Sequence, residues 1–342
     1  MRALVTGGSG YFGSLLLRKL REQGHECAVL DIADADDRPA DVRFVRADIR
    51  DAAAVNDAAG GIDVIFHNVA QVPLAKDRQL FESVNVTGTE NLVRAALAQR
   101  VSKVVYTSSS AIFGVPKANP VTEDTPPAPA EAYGRAKLEG ERICQRYVSE
   151  GLDVSIVRPR TILGHGRLGI FQILFEWIRQ GYNVPVLGRG DNVYQFVHAD
   201  DLAEACILAG SRSGPGLYNC GTDRFGTMRQ ALEHLCVRAG TGSRVKSVPM
   251  HLAVTSMKIT SILGLSPLGP YHSLMYGKSL YFDITRAKRE LGWQPRYSND
   301  EMLFDSYNWY LQNREAIERT HGASHHRSPV KQGVLKLARH FW

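Results

Sequence analysis

Over the first 160 residues, short and nearly unbroken apolar runs alternate with longer stretches whose apolar positions recur at helical spacing. The runs at 3–5, 27–30, 42–45, 64–66, 104–106 and 154–157 predict strands. They hardly alternate apolar with polar positions, which fits strands covered on both faces in a parallel sheet. Between them, 11–23, 51–59, 80–99 and 131–150 predict helices. Such alternation winds through right-handed crossovers into a doubly wound parallel α/β sheet. Five prolines from Pro116 to Pro129 mark the connection after the fifth strand as a loop.

Beyond residue 160 the alternation breaks up. A Gly-rich turn at 164–169 precedes an amphipathic helix at 171–179. Short strands are expected at 184–187, 195–197 and 217–220, the last two returning to the main sheet. An apolar helical stretch at 250–263 runs into the Gly/Pro-interrupted segment 264–270. The expected division is a sheet domain over 1–165, completed by parts of 190–225, with a smaller interleaved lobe over 166–320 and a tail over 321–342.

Composition narrows the class. With 44% hydrophobic and 22% charged residues, wholesale disorder is excluded. No run approaches the roughly 18 apolar residues that span a bilayer, and MRALVTGGSG lacks the layout of a signal peptide. The formal charge of +6 would suggest nucleic acid if it were spread over the body. Instead Arg319, Arg327, Lys331, Lys336 and Arg339 supply five of those charges, and residues 1–318 carry only +1. A nucleic-acid-binding core is therefore not expected. If 329–342 is helical, Val330, Val334, Leu337, Ala338 and Phe341 share a face opposite Lys336, Arg339 and His340. That arrangement suits peripheral contact with an anionic inner-membrane face, or docking on the body or a second copy. Cys27, Cys144, Cys206, Cys220 and Cys236 form no C-x-x-C pair, which fits reduced thiols in a cytoplasmic protein. No metal-ligand spacing occurs among Cys and His, so no metal is expected.

Candidate chemistry begins at Thr6-Gly-Gly-Ser-Gly-Tyr-Phe-Gly13, between the first strand and first helix. Gly7, Gly10 and Gly13 permit a tight turn, close approach to a pyrophosphate and tight helix–strand packing. The helix starting at Tyr11 and Phe12 offers oriented N–H groups to an anion. Asp31 ends the second strand, 18 residues after Gly13. A carboxylate there accepts the hydroxyls of an adenosine ribose and repels a 2′-phosphate, which favours NAD over NADP.

Tyr133-Gly-Arg-Ala-Lys137 places a phenol and an ammonium four residues apart on one helix face. A free phenol, with a pKa near 10, is too weak a base at neutral pH. A neighbouring ammonium and a cationic nicotinamide lower it enough to exchange a proton with a substrate oxygen. Ser108, Ser109 and Ser110 follow Thr107 at the end of the fifth strand, where open α/β sheets bind ligands.

Together these motifs resemble the extended short-chain dehydrogenase/reductases, the NAD-dependent epimerase/dehydratase family. TGGSGYFG, Asp31, Asp48-Ile49, HNVA at 67–70, VNVTGT at 84–89, YTSSSAIFG at 106–114, YGRAK, RPR at 158–160 and FVHADDLAEA at 196–205 carry the resemblance, which covers residues 1 to about 210. It implies a Rossmann domain in which Asp48 and Ile49 border the adenine and Val69 and Ala70 line the cofactor channel. Asn85 buttresses the site, Lys137 also grips the nicotinamide ribose, and Pro159 lies near the nicotinamide. The family's spacing back from Gly114 selects Ser109 as the catalytic hydroxyl, with Ser108 and Ser110 as alternatives. Dimerisation through the helices at 80–99 and 131–150 is implied as well.

Departures from the family's patterns bear on the substrate. Ser110 and Ala111 follow Ser109, where a 4,6-dehydratase carries an acid and a C3/C5 epimerase a cysteine. Tyr194 occupies the place of an arginine that nucleotide-sugar epimerases use on the diphosphate, and Arg160, Arg167 and Arg189 are substitutes. His165 is read as a surface or substrate-wall residue, with an acid–base role as the alternative. The segments 250–263 and LSPLGPYHSLMYGKSLYFD (265–283) resemble the 3β-hydroxysteroid dehydrogenase branch. The leading expectation is a sugar epimerase-type enzyme with NAD, acting on a small sugar-like molecule. Oxidation or reduction of a lipophilic alcohol is second, a non-catalytic NAD-sensing scaffold third, and a membrane-interaction module last.

Overall fold

The computed structural model describes residues 1–71, 78–167, 170–251, 255 and 277–319. Its first half runs β1 (Arg2–Thr6), α1 (Tyr11–Glu22), β2 (Glu26–Asp31), β3 (Arg43–Arg46), α2 (Ala52–Ala59), β4 (Val64–His67), α3 (Arg78–Glu82), a π-helical turn Ser83–Thr87, α4 (Gly88–Ala98), β5 (Lys103–Thr107), a 3-10 turn Ser110–Phe113, α5 (Ala132–Ser149) and β6 (Val154–Pro159). There follow β7 (Thr161–Leu163), α6 (Ile170–Arg179), β8 (Val184–Leu187), β9 (Val193–Tyr194), β10 (Phe196–His198), α7 (Ala199–Ser211), β11 (Gly216–Cys220), β12 (Gly226–Thr227), α8 (Met228–Ala239) and β13 (Val245–Val248). The helices Thr285–Leu291 and Asn299–Arg319, α9 and α10, come last among the described elements.

Seven strands form one parallel sheet in the order β11–β6–β5–β4–β1–β2–β3. Strand order reverses between β1 and β4, so a crevice opens at their carboxyl ends. The pleat sends alternate residues to opposite faces. Val5, Val29, Phe66 and Val105 meet α1 and α7 on one face; Leu4, Leu30, Ile65 and Val104 meet α2, α4 and α5 on the other. A further core gathers Phe175, Ile178, Leu232, Leu235, Leu303 and Tyr307 from α6, α8 and α10. Trp293, fully buried, donates its indole N–H to the Asp201 carbonyl at 2.8 Å and so anchors the C-terminal segment on α7. Truncating such a side chain costs about 3–5 kcal/mol.

Local chemistry sets the helix starts. Asp51 caps α2 by accepting from the N–H groups of Ala53 and Ala54, and Glu131 caps α5 by accepting from Tyr133 and Gly134. The proline-bearing loop is held by Asn119, whose side chain donates to the Ser279 carbonyl and accepts from Tyr281 N–H.

Two expectations are corrected. The helix expected at 80–99 is interrupted by the π-helical turn, beyond which Gly88 lies against Ile49: a Cβ there would meet Ile49 Cγ2 at 2.6 Å. The strand expected at 195–197 does not join the main sheet, because β10 pairs with β7 in a separate two-stranded sheet. The strand expected at 217–220 does join it, as edge strand β11. Most of the apolar stretch 250–263, all of 264–270 and the tail 321–342 lie outside the described residues.

Candidate active site

The glycine loop turns back on itself at the carboxyl end of β1. Gly7 has φ +71°, and its N–H donates to the Leu30 carbonyl at 2.9 Å. At Gly13 a Cβ would lie 2.1 Å from the Gly7 oxygen, so a larger residue cannot enter without moving backbone. No side chain caps α1, and its first turn holds no acidic residue. Its N-terminal N–H groups and dipole therefore suit a pyrophosphate. Across the loop, the Asp31 carboxylate accepts from Ser9 N–H at 3.1 Å and Ile32 N–H at 2.8 Å. Burial nevertheless raises its pKa, and those backbone donors oppose the rise. Glycine turn, helix end and carboxylate together fit the two halves of a dinucleotide.

Asp48 and Ile49, expected beside the adenine, follow the third strand. Ile49 is buried, but the Asp48 carboxylate is engaged by Arg50 at 2.5 and 2.9 Å. Asn91, which the motif reading passed over, holds this segment by donating to the carbonyls of Ile49 and Arg50.

Val69 and Ala70 follow β4, and Val69 approaches the loop closely: a Cβ on Gly7 would lie 3.1 Å from Val69 N. Asn85, on the π-helical turn, accepts from Gln71 N–H at 2.7 Å and donates to the Gln71 carbonyl at 3.1 Å. His67 links the two elements, with Nδ1 2.8 Å from Thr6 Oγ1 and Nε2 3.0 Å from Thr89 Oγ1. Thr89 in turn donates to the Asn85 carbonyl at 2.9 Å. Burial pushes His67 down to about 3, so it is a neutral spacer. The HNVA motif contained this residue, but spacing alone assigned it no task.

Tyr133 and Lys137 stand one turn apart on α5. The Lys137 ammonium donates to the Thr107 carbonyl at 2.8 Å and lies 4.9 Å from the centre of the Tyr106 ring. Burial lowers its pKa to about 8. The lowering expected from Lys137 is not what the folded chain gives: burial pushes Tyr133 up to about 12, and the groups that oppose the rise are Ser109, by a hydrogen bond, and Arg167, by its positive charge. The three serines separate by environment. Ser108 is buried and donates to Glu141 at 2.5 Å, while Glu141 is gripped by Arg158. Ser110 is buried and accepts from Arg160 at 2.8 Å. Ser109 is half-buried, caps the 3-10 turn, and is the serine whose hydroxyl acts to lower the Tyr133 pKa.

The remaining residues lie around this group. Pro159 ends β6 and is buried. Tyr194 is 4% exposed and lies beneath the Arg160 guanidinium, 4.9 Å from carbon to ring centre, with its hydroxyl 2.8 Å from Thr161 Oγ1. Its position is thus a supporting wall rather than an open surface. His165 is exposed and meets His198 edge-on, with ring centres 6.0 Å apart. Tyr11 is buried in the first turn of α1, and Arg167 lies over its ring at 5.7 Å. Phe12 is partly buried against the sheet core.

The model of the NAD dependent epimerase/dehydratase family matches residues 3–221. The Sinorhizobium fredii protein y4nG is 54% identical over 98% of this chain and 85% of its own. A UDP-glucose 4-epimerase of Mycolicibacterium smegmatis is 32% identical over 86% of this chain and 94% of its own. The crystal structure of Thermus thermophilus UDP-glucose 4-epimerase with NAD superposes with a TM-score of 0.74 at 28% identity, covering 91% of this chain and 99% of that one. NAD is the cofactor of this family. On the sheet, the loop and the match over 3–221, the chain belongs to the NAD-dependent epimerase/dehydratase family.

Proposed function

We propose that the protein is a nucleotide-sugar epimerase that inverts a secondary alcohol carbon of the sugar, using Tyr133, Lys137 and Ser109. The observation that carries this reading is the bond from Lys137 to the Thr107 carbonyl, which ties the helix bearing Tyr133 to the strand end leading into Ser109, at the carboxyl end of the sheet. When bound, NAD supplies hydride acceptance and hydride return at its nicotinamide ring. The Tyr133 oxygen takes the proton of the substrate hydroxyl as the carbinol becomes a ketone, and gives it back when the ketone is reduced from the other face. Ser109 holds the reacting oxygen through its hydroxyl. Lys137 ties the helix bearing the base to the Thr107 carbonyl and would hold the nicotinamide ribose.

Similarity to the M. smegmatis UDP-glucose 4-epimerase supports a UDP-hexose as substrate. The buried Ser110 and Ala111 put no carboxylic acid directly after Ser109, which disfavours sugar dehydration. The lipophilic-substrate reading rests on 250–263 and 265–283, most of which lie outside the described residues. A homodimer through α4 and α5, with the basic tail meeting an anionic membrane on the cytoplasmic side, completes the proposal. Among the described residues no helix is long and apolar enough to cross a membrane. Liposome flotation with and without residues 321–342 tests the tail, and equal flotation removes it from the account.

The reading is tested by incubating the NAD-loaded protein with UDP-glucose and following UDP-galactose by NMR. Interconversion that disappears in Tyr133→Phe, with NAD binding retained, supports it. Undiminished interconversion in Tyr133→Phe contradicts the mechanism.

A further inference from the structure

Arg160 leaves the carboxyl end of β6 and is 1% exposed. Its Nη1 donates to Ser110 Oγ at 2.8 Å, and its plane is flanked by Tyr194 and Phe282, whose ring centres lie 4.9 and 5.7 Å from the guanidinium carbon. Its Nε and Nη2 are buried and have no hydrogen-bond partner among the described residues. No carboxylate among those residues forms an ion pair with it. Arg158, two residues earlier, shows what that edge of a guanidinium does when it is used. There Nε and Nη2 grip the two Glu141 oxygens at 2.9 and 2.6 Å.

A fully buried guanidinium without a counter-charge is costly, by several kcal/mol after relaxation. Buried polar groups normally find partners, so an unpartnered pair of donors points to an acceptor outside the protein. The two donors are parallel and fixed in a plane, the match for two oxygens of one oxyanion. Flanking aromatic rings hold that plane and exclude bulk water. Location narrows the ligand further. Ser110, which fixes the other edge of Arg160, lies three residues after Thr107, whose carbonyl accepts from Lys137 on the helix that bears Tyr133.

We propose that Arg160 is a specificity-determining anchor for an oxyanion carried by the substrate. Only the source of that oxyanion rests on the nucleotide-sugar reading. It is either the diphosphate of the nucleotide or a carboxylate on the sugar.

The test is calorimetric titration of the NAD-loaded wild type, Arg160→Met and Arg160→Lys with inorganic pyrophosphate, UDP-glucose and UDP-glucuronic acid. The wild type should bind at least one probe, and Arg160→Met should weaken that binding roughly 30-fold or more. Weakening with all three probes assigns the diphosphate; weakening confined to UDP-glucuronic acid assigns the carboxylate. The ligand-free Arg160→Met protein should melt no lower than wild type, because an uncompensated buried charge has gone. Unchanged affinities with a lowered melting temperature would make Arg160 a structural residue and overturn the proposal. A wild type that binds none of the probes also overturns it. If pyrophosphate binding depends on Arg160 while both UDP-sugars are ignored, the anchor stands and the nucleotide-sugar reading falls. Should Arg160→Met fail to fold, Arg160→Lys decides: wild-type affinity there contradicts two-pronged recognition, which an ammonium cannot supply.

Discussion

The Lys137 ammonium donates to the carbonyl of Thr107 at 2.8 Å, tying the helix that carries Tyr133 to the strand end that leads into Ser109. Burial lowers Lys137 to about 8, so its charge is complete below that pH and is lost as pH rises through it. If the charge is required, activity should decline above about pH 8. Lys137→Met should cut kcat at least about 100-fold, consistent with losing a positioned charge in a dry site, and should lack that alkaline decline. A kcat–pH profile with the decline intact in Lys137→Met would assign it elsewhere.

The serines differ in what they hold. Ser109 lowers the pKa of Tyr133 by hydrogen bonding, so Ser109→Ala should move the rising acid limb of the rate profile to higher pH. Its kcat should fall roughly 100- to 1000-fold. Ser108→Ala instead strips a donor from buried Glu141 and should cost about 1–3 kcal/mol of stability with the limb unmoved. Rate profiles paired with urea unfolding separate the two. A Ser108→Ala protein with wild-type stability and a shifted limb would reverse the assignment.

The loop and Asp31 set the cofactor. Gly13→Ala drives a Cβ into the Gly7 oxygen and should raise the Kd for NAD by about 100-fold or more. Asp31→Asn removes the charge that opposes a 2′-phosphate and should narrow the preference for NAD over NADP by about tenfold, one carboxylate contact at roughly 1.4 kcal/mol. Fluorescence titration with both dinucleotides reads each effect. An unaltered ratio in Asp31→Asn would remove Asp31 from cofactor choice.

His67 gives an acid-stability prediction. Its folded pKa is pushed from 6.5 down to about 3 by burial, so the neutral form is preferred in the folded state. The stability linked to it is present above about pH 6.5 and is lost as pH falls toward 3. His67→Gln keeps hydrogen-bonding capacity without a titrating ring. Its unfolding free energy should fall less steeply over that range than the wild type's. Parallel slopes would show that the Thr6–His67–Thr89 bridge is not what acid breaks.

The parallel sheet was legible because its strands are apolar on both faces and separated by helices with clear starts. The glycine turn between β1 and α1 and the one-turn spacing of Tyr133 and Lys137 on α5 were legible because each rests on local spacing. What periodicity missed was non-local. Nothing in residues 80–99 signals the π-helical turn that presents Asn85 to Gln71, since its surroundings include Ile49, far away in sequence. The strand at 195–197 has the composition of a sheet strand, yet it pairs with β7 because β11 has taken the edge beside β6. The choice among Ser108, Ser109 and Ser110 depends on Glu141 and Arg160, which only folding brings alongside.

The central claim is hydride transfer that returns to the same substrate. It is tested most directly by counting turnovers of a UDP-hexose with NAD kept below one equivalent per protein and absorbance followed at the NADH band. Many inversions per NAD with no lasting rise in NADH are predicted. One equivalent of NADH per molecule converted, without inverted product, would contradict the account.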